Sequence, residues 1–190
     1  MFAFKYKYYL YIGNTKDFNP DLIKRRNKFI IIYRNNIKRE NIKNLRRFRQ
    51  LCKKRGIKLY IANDIFLANL INADGLYVSA FNKSLKHLNK INKNFQIIGS
   101  AHNYKEIITK KKQGCSEILF SRLFKTNYKN KTGFLGIVKF NLLTKLTNAR
   151  LIPLGGIRLI NLNSLKLVNS NAISILSEIK KKPAITSRLF

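Results

Sequence analysis

The feature that most restricts this chain is an alternation of two textures. Short runs rich in apolar and β-branched residues recur at Tyr8–Ile12, Phe29–Tyr33, Ile57–Ala62, Gly75–Ser79, Gln96–Ser100, Glu117–Phe120, Arg150–Leu154 and Ala172–Leu176. Each has the length and composition of a strand. Polar, basic segments with helical spacing separate them. The clearest is Asn41–Arg55, where Ile42, Leu45, Phe48, Leu51 and Cys52 fall on one helical stripe, enough to cover one side of a helix. Gly56 follows as a natural stop. The same spacing predicts helices over Pro20–Arg26, Ile65–Asn72, Leu85–Ile91, Tyr104–Gln113, Ile137–Thr147 and Leu162–Val168.

Strands that are apolar on both faces and alternate with helices read as a buried parallel sheet. The expectation is an α/β fold, a compact (β/α)8 TIM barrel forming a single domain over 1–190, because closure leaves no edge strand exposed. A doubly wound open sheet is the other topology such a series permits. The chain has 190 residues, short beside the ~250 of a usual barrel, so its helices must be short. After the eighth strand little more than KKKPAITSRLF remains, which predicts a reduced or missing last helix.

The formal net charge is +31, a balance that can signal a polyanion partner. The basic residues are spread along the whole chain, however, and they accompany a richness in Asn and Ile that AT-biased codons would produce. The pattern argues against nucleic acid and leaves a basic polyanion-binding barrel as the alternative of another class. No apolar run reaches the length of a membrane span, so no membrane partner is expected. The apolar start MFAFKYKYYLYIG lacks a small-residue cleavage site and reads as a first strand,. Cys52 and Cys115 are far apart and fit no metal spacing, as for free thiols in a reducing cytoplasm.

In a barrel, chemistry belongs where strands end and loops begin. After strand 2 comes Arg34, whose planar guanidinium suits a phosphate; a plain surface arginine is the other reading. After strand 3 comes Asn63–Asp64. Asp64 could ligate Mg²⁺ beside substrate phosphates or simply cap the next helix. Ser100–Ala101–His102–Asn103 ends strand 5, and no carboxylate partner stands out for His102, which argues against a Ser/His hydrolase. His87 lies on a predicted helix. A long polar loop from Ser121 to Gly133 follows strand 6 and contains Thr126 and Lys129. Gly155–Gly156 follows strand 7, where backbone N–H groups can approach a phosphate, and Ser177–Glu178 ends strand 8. Phosphate sites in barrels commonly use the loops after strands 7 and 8.

Taken in order, these strand ends resemble the thiamine phosphate synthase/TenI family. The stretches that carry the resemblance are IANDIFLANLINADGLYVS, IIGSAHNYKEI, CSEILFSRLFKTNYK and PLGGIRLINL, each at the family's place in the chain order. The resemblance implies that the chain couples hydroxymethylpyrimidine diphosphate to thiazole phosphate, with Mg²⁺ assisting the departure of diphosphate. It implies diphosphate binding by Arg34, diphosphate and metal binding by Asn63 and Asp64, and a pyrimidine contact at Ser100. Thr126 and Lys129 match loop residues that bind substrate and diphosphate, and Gly156 and Ser177 match the thiazole-phosphate end beside Gly155. The chain departs from the synthase pattern at Ile32 and Asn36, where Gln and Lys are usual, at Asn82, where a second metal-ligating Asp is usual, and at Tyr128, which replaces a threonine. TenI-type relatives lack parts of the diphosphate site. Some are thiazole tautomerases that use a histidine at the position of His102, so a tautomerase or a non-catalytic thiazole-phosphate binder is the alternative. The expected partners are small phosphorylated substrates, with a further copy of the chain as a candidate.

Overall fold

The computed structural model describes residues 7–23, 27–35, 40–86, 95–126 and 133–174. The strands are β1 (Lys7–Ile12), β2 (Phe29–Tyr33), β3 (Lys58–Ala62), β4 (Gly75–Val78), β5 (Gln96–Ala101), β6 (Glu117–Ser121), β7 (Leu151–Leu154) and β8 (Ala172–Ser174). They close in sequence order into one barrel. Every neighbouring pair is parallel, including β1 with β8, where Tyr8 pairs with Ile173. The closed barrel settles the topology against the open sheet.

Side chains alternate across each strand. One set points inward and fills the barrel: Tyr9, Ile30, Ile32, Tyr60, Tyr77, Ile98, Leu119 and Ile152 form one buried cluster. The other set, including Tyr8, Leu10, Phe29, Ile31, Leu59 and Ile118, packs outward beneath the helices. At the amino end of the barrel the interior tyrosines are hydrogen-bonded. Tyr9 Oη donates to Glu117, and Tyr60 Oη donates to Gln96 Oε1 at 2.6 Å. Burial first, and the Glu117 carboxylate after it, push both phenols above their ordinary value.

Four helices surround the described barrel: α1 (Ile42–Lys54), α2 (Ile65–Leu70), α3 (Tyr104–Lys112) and α4 (Ile137–Thr147). α1 buries Leu45, Phe48 and Cys52 of the predicted stripe, while Leu51 is half-buried and Ile42 in the first turn is exposed; the helix begins at Asn41, whose side chain accepts from Lys43 N. Two predicted helices are instead single 3₁₀ turns, Pro20–Leu22 and Asn163–Leu167. Over Pro20–Leu22, Asn19 caps from one side and Ile23 returns to extended backbone at once, too short for an α-helical turn to propagate. The predicted helix over Leu85–Ile91 falls mostly outside the described residues, as does any last helix beyond residue 174. No described helix is long and apolar enough to cross a membrane.

Candidate active site

Because all the strands are parallel, their carboxyl ends open on one face. The described candidates lie on that face. Arg34 follows β2, Asn63 and Asp64 follow β3, Ser100 lies near the end of β5 and His102 just after it. Thr126 is in the loop after β6, and Gly155 and Gly156 follow β7. Lys129 and Ser177 lie outside the described residues, as do Asn36, His87, Tyr128 and Glu178.

The floor of this mouth is a chain of hydroxyls. Tyr11 Oη donates to Tyr77 Oη at 3.1 Å, with the two rings edge to face. Tyr77 Oη donates to Ser100 Oγ at 2.8 Å, and the Ala80 N–H donates to the same oxygen at 3.0 Å. Ser100 is 6% exposed. Having accepted twice, its hydroxyl still carries one proton to donate. Burial and the neighbouring Tyr77 push the Tyr11 phenol well up, and the Arg34 guanidinium pulls it part of the way back. Ile32, at the family's glutamine position, is fully buried in the barrel interior.

The β3–β4 corner is held by an asparagine pair. Asn63 has left-handed backbone, φ 56°, which asparagine tolerates better than most residues. Its Oδ1 accepts from the Ser79 N–H at 3.0 Å and from Asn82 Nδ2 at 3.1 Å, and its Nδ2 donates to Ser79 Oγ at 3.1 Å. Asp64 is the N-cap of α2, with Oδ1 accepting from Leu67 N at 2.9 Å. The capping role weighed from the sequence is therefore present. Glu40 lines a cavity of about 580 Å³ together with Asp64, but its carboxylate is taken by the Thr15 N–H and hydroxyl at 3.0 and 2.8 Å. Among the described residues no group of three His, Cys, Asp or Glu side chains could hold a metal. The corner thus offers Mg²⁺ one carboxylate ligand, and the rest of its coordination would come from substrate oxygens and water.

On the far side of β5, His102 has a carboxylate partner, contrary to the expectation from sequence. Glu106, four residues along, accepts from the His102 N–H at 2.7 Å and lies 3.1 Å from its Nδ1. A carboxylate only accepts, so Nδ1 carries the proton and Nε2 is left as the basic nitrogen. Asn103 caps α3 through Glu106 N at 2.9 Å. Ser100 bonds to Tyr77 and Ala80, so Ser100 and His102 do not form a hydrolase pair. His102, Glu106, Phe81, Arg122 and Phe134 line a cavity of about 540 Å³ at the rim.

The loops after β6 and β7 interlock. Arg122 Nη1 donates to Thr126 Oγ1 at 3.2 Å, and the Phe124 N–H donates to Gly155 O at 3.1 Å. Gly155 and Gly156 have φ of +91° and +73°, and a Cβ on Gly156 would lie 2.4 Å from Phe124 O. Close loop packing already requires glycine there, before any phosphate is considered.

Sequence reasoning passed over Tyr11, Tyr77 and Glu106. The tyrosines sit at inward positions of apolar strands and read as core. Glu106 had a legible signal, its i,i+4 spacing from His102 on the first turn of a helix.

The profile of the thiamine monophosphate synthase family matches residues 20–179. The thiamine-phosphate synthase of Methanococcus maripaludis is 29% identical over 100 residues, 52% of this chain and 48% of that protein. That of Prochlorococcus marinus strain AS9601 is 34% identical over 111 residues, 57% of this chain and 31% of that protein. The match thus spans about half or less of these relatives' length. Among solved structures, a thiamine phosphate pyrophosphorylase from Pyrococcus furiosus has a TM-score of 0.75 at 15% identity, covering 99% of this chain and 93% of that one. KGPDC from Streptococcus mutans has a TM-score of 0.64 at 11% identity, covering 97% and 94%. These two share the fold.

Proposed function

The chain belongs to the thiamine monophosphate synthase family, and on that premise we propose that its barrel mouth couples hydroxymethylpyrimidine diphosphate to thiazole phosphate. In this reaction the thiazole nitrogen gives its lone pair to the pyrimidine methylene carbon. Diphosphate leaves first with the electron pair of its carbon–oxygen bond, and the thiazole nitrogen captures the carbocation-like pyrimidine that remains. The chemistry asks mainly for cations around a leaving anion and for fixed substrates.

The observation that carries the proposal is the Tyr11–Tyr77–Ser100 hydroxyl chain at one barrel mouth, with Arg34 following β2 on the same face. In this reading Arg34 faces the diphosphate, and Ser100, held by Tyr77 and Ala80, presents its remaining proton to the pyrimidine. Asn63 shapes the β3 turn, and Asp64 would hold Mg²⁺ together with diphosphate oxygens. When bound, that ion supplies charge neutralisation to the leaving group. The Gly155–Gly156 loop faces the thiazole-phosphate end, where the family pattern also puts Ser177, and Thr126 and Lys129 belong to the loop that the pattern gives to substrate and diphosphate. Ile32 and Asn82 remove an amide and a carboxylate, so turnover below that of a fully equipped synthase is expected.

The His102–Glu106 pair favours a second activity, moving a proton on the thiazole. A Glu106-oriented imidazole whose Nε2 can take up and return a proton suits that step.

Two reactions on one preparation separate the two. Both precursors with Mg²⁺ should give thiamine phosphate, and His102→Asn should retain that product. If only thiazole isomerisation is seen, and His102→Asn abolishes it, the tautomerase is correct and the synthase is not.

A further inference from the structure

Lys110 is the only charged side chain buried among the described residues, at 0% exposure. It sits on the last turn of α3 beside Lys111 and Lys112. Its stem passes β5 at Gly99, where an added Cβ would come 2.9 Å from Lys110 Cδ. The ammonium has three protons, and three acceptors meet them at 2.7 Å each: Ser79 O, Asn82 O and Gln113 Oε1. Gln113, itself buried, donates from Nε2 to Asn82 O at 2.9 Å and to Ser84 O at 2.8 Å. Lys110 and Gln113 thus grip the loop after β4 through three of its carbonyls.

The same loop braces the β3 turn. Ser79 and Asn82 are the residues that bond to Asn63, and Asp64 follows it in sequence. A path of direct hydrogen bonds therefore runs from the Lys110 ammonium to the corner where diphosphate is proposed to bind.

Burying an ammonium is costly, and neutral oxygens repay the loss of water less well than a carboxylate does. Burial pulls the Lys110 pKa below its ordinary value, and the nearest titratable groups, Cys115 and Glu106, oppose that only in part. A methionine of similar length would fill the space at less cost. We infer that Lys110 is a positioning residue for the diphosphate corner, fixing the β4 loop so that Ser79 and Asn82 hold the Asn63–Asp64 turn in its binding geometry. The inference rests on the proposed diphosphate site.

The test uses the full chain and inorganic pyrophosphate with Mg²⁺, titrated by calorimetry, with thiazole phosphate as the second ligand. Lys110→Met should weaken pyrophosphate binding about tenfold, as loss of an outer-shell support commonly does. Thiazole phosphate affinity should change by no more than about twofold, the effect of an ordinary surface substitution. Amide exchange over Ser79–Ser84 should accelerate in the same variant. The surface control Lys112→Met should leave both affinities unchanged. A folded Lys110→Met that binds pyrophosphate like the parent overturns the inference. So does a variant that is merely less stable or that loses both ligands alike, since a purely structural role predicts those results. If Lys110→Met does not fold, Gln113→Leu is judged by the same criteria. A parent that binds no pyrophosphate overturns the diphosphate site itself, and this inference with it; the parent alone decides that outcome.

Discussion

The hydroxyl of Tyr77 donates to Ser100 Oγ across 2.8 Å, tying β4 to β5 at the floor of the mouth. Tyr77 also accepts from Tyr11, so one phenol links three strands. Tyr77→Phe keeps the ring and removes both bonds. The expected loss is about 1–2 kcal/mol, the cost of leaving buried polar partners unmet. Urea unfolding measures it. A Tyr77→Phe protein as stable as the parent would mean that the hydroxyl chain is not maintained in solution.

The two glycines after β7 should differ in what they tolerate. Gly155→Ala faces left-handed strain and the Arg122 side chain, which can move; about 1–2 kcal/mol is expected. Gly156→Ala adds a collision with the Phe124 carbonyl and should cost about 3 kcal/mol or more, since backbone must shift. Equal losses in denaturant titrations would contradict the interlocked loops.

The barrel was legible in the sequence because buried parallel strands announce themselves. Runs such as Phe29–Tyr33 are apolar on both faces, and all five residues are buried. α1 was legible because its stripe sits in a strongly polar helix. The region Pro20–Arg26 misled because Asn, Pro and Asp start a helix and a 3₁₀ turn alike, and nothing local decides its length. At the site, position along the chain was readable but engagement was not. Ser100 read as a substrate contact, yet its oxygen already accepts from Tyr77 and Ala80. Lys110 was invisible for a related reason. In a Lys-Lys-Lys run it looks like a solvated helix face, and only the packing of α3 over Gly99 reveals its burial.

Asp64 serves the fold now and, as proposed, a metal during turnover. The two roles separate by substitution. Asp64→Asn keeps a capping oxygen and should leave stability within about 0.5 kcal/mol, whereas Asp64→Ala should lose about 1 kcal/mol. Both should raise the Mg²⁺ concentration needed for half-maximal turnover. If the Asn variant responds to Mg²⁺ as the parent does, Asp64 is a cap alone.

Burial pushes the thiols of Cys52 and Cys115 up to about 12. Both should resist a disulfide exchange reagent at pH 8 in the native protein and react once urea unfolds it, because the thiolate is the reactive form. In the unfolded chain these thiols ionise near their ordinary value of 9. The unfolded state therefore sheds protons first, and their contribution to stability declines as pH rises from about 9 toward 12. Rapid native labelling of both cysteines would contradict that burial.

The mouth bearing Arg34 is proposed to expel diphosphate as it joins two precursors. The direct measurement is diphosphate released per thiamine phosphate formed, in the parent and in Arg34→Met. One-to-one release that requires both precursors and Mg²⁺ is expected, reduced at least about tenfold in Arg34→Met, as when a cation that stabilises the transition state is removed. No diphosphate from the parent, or equal release from the two proteins, would contradict it.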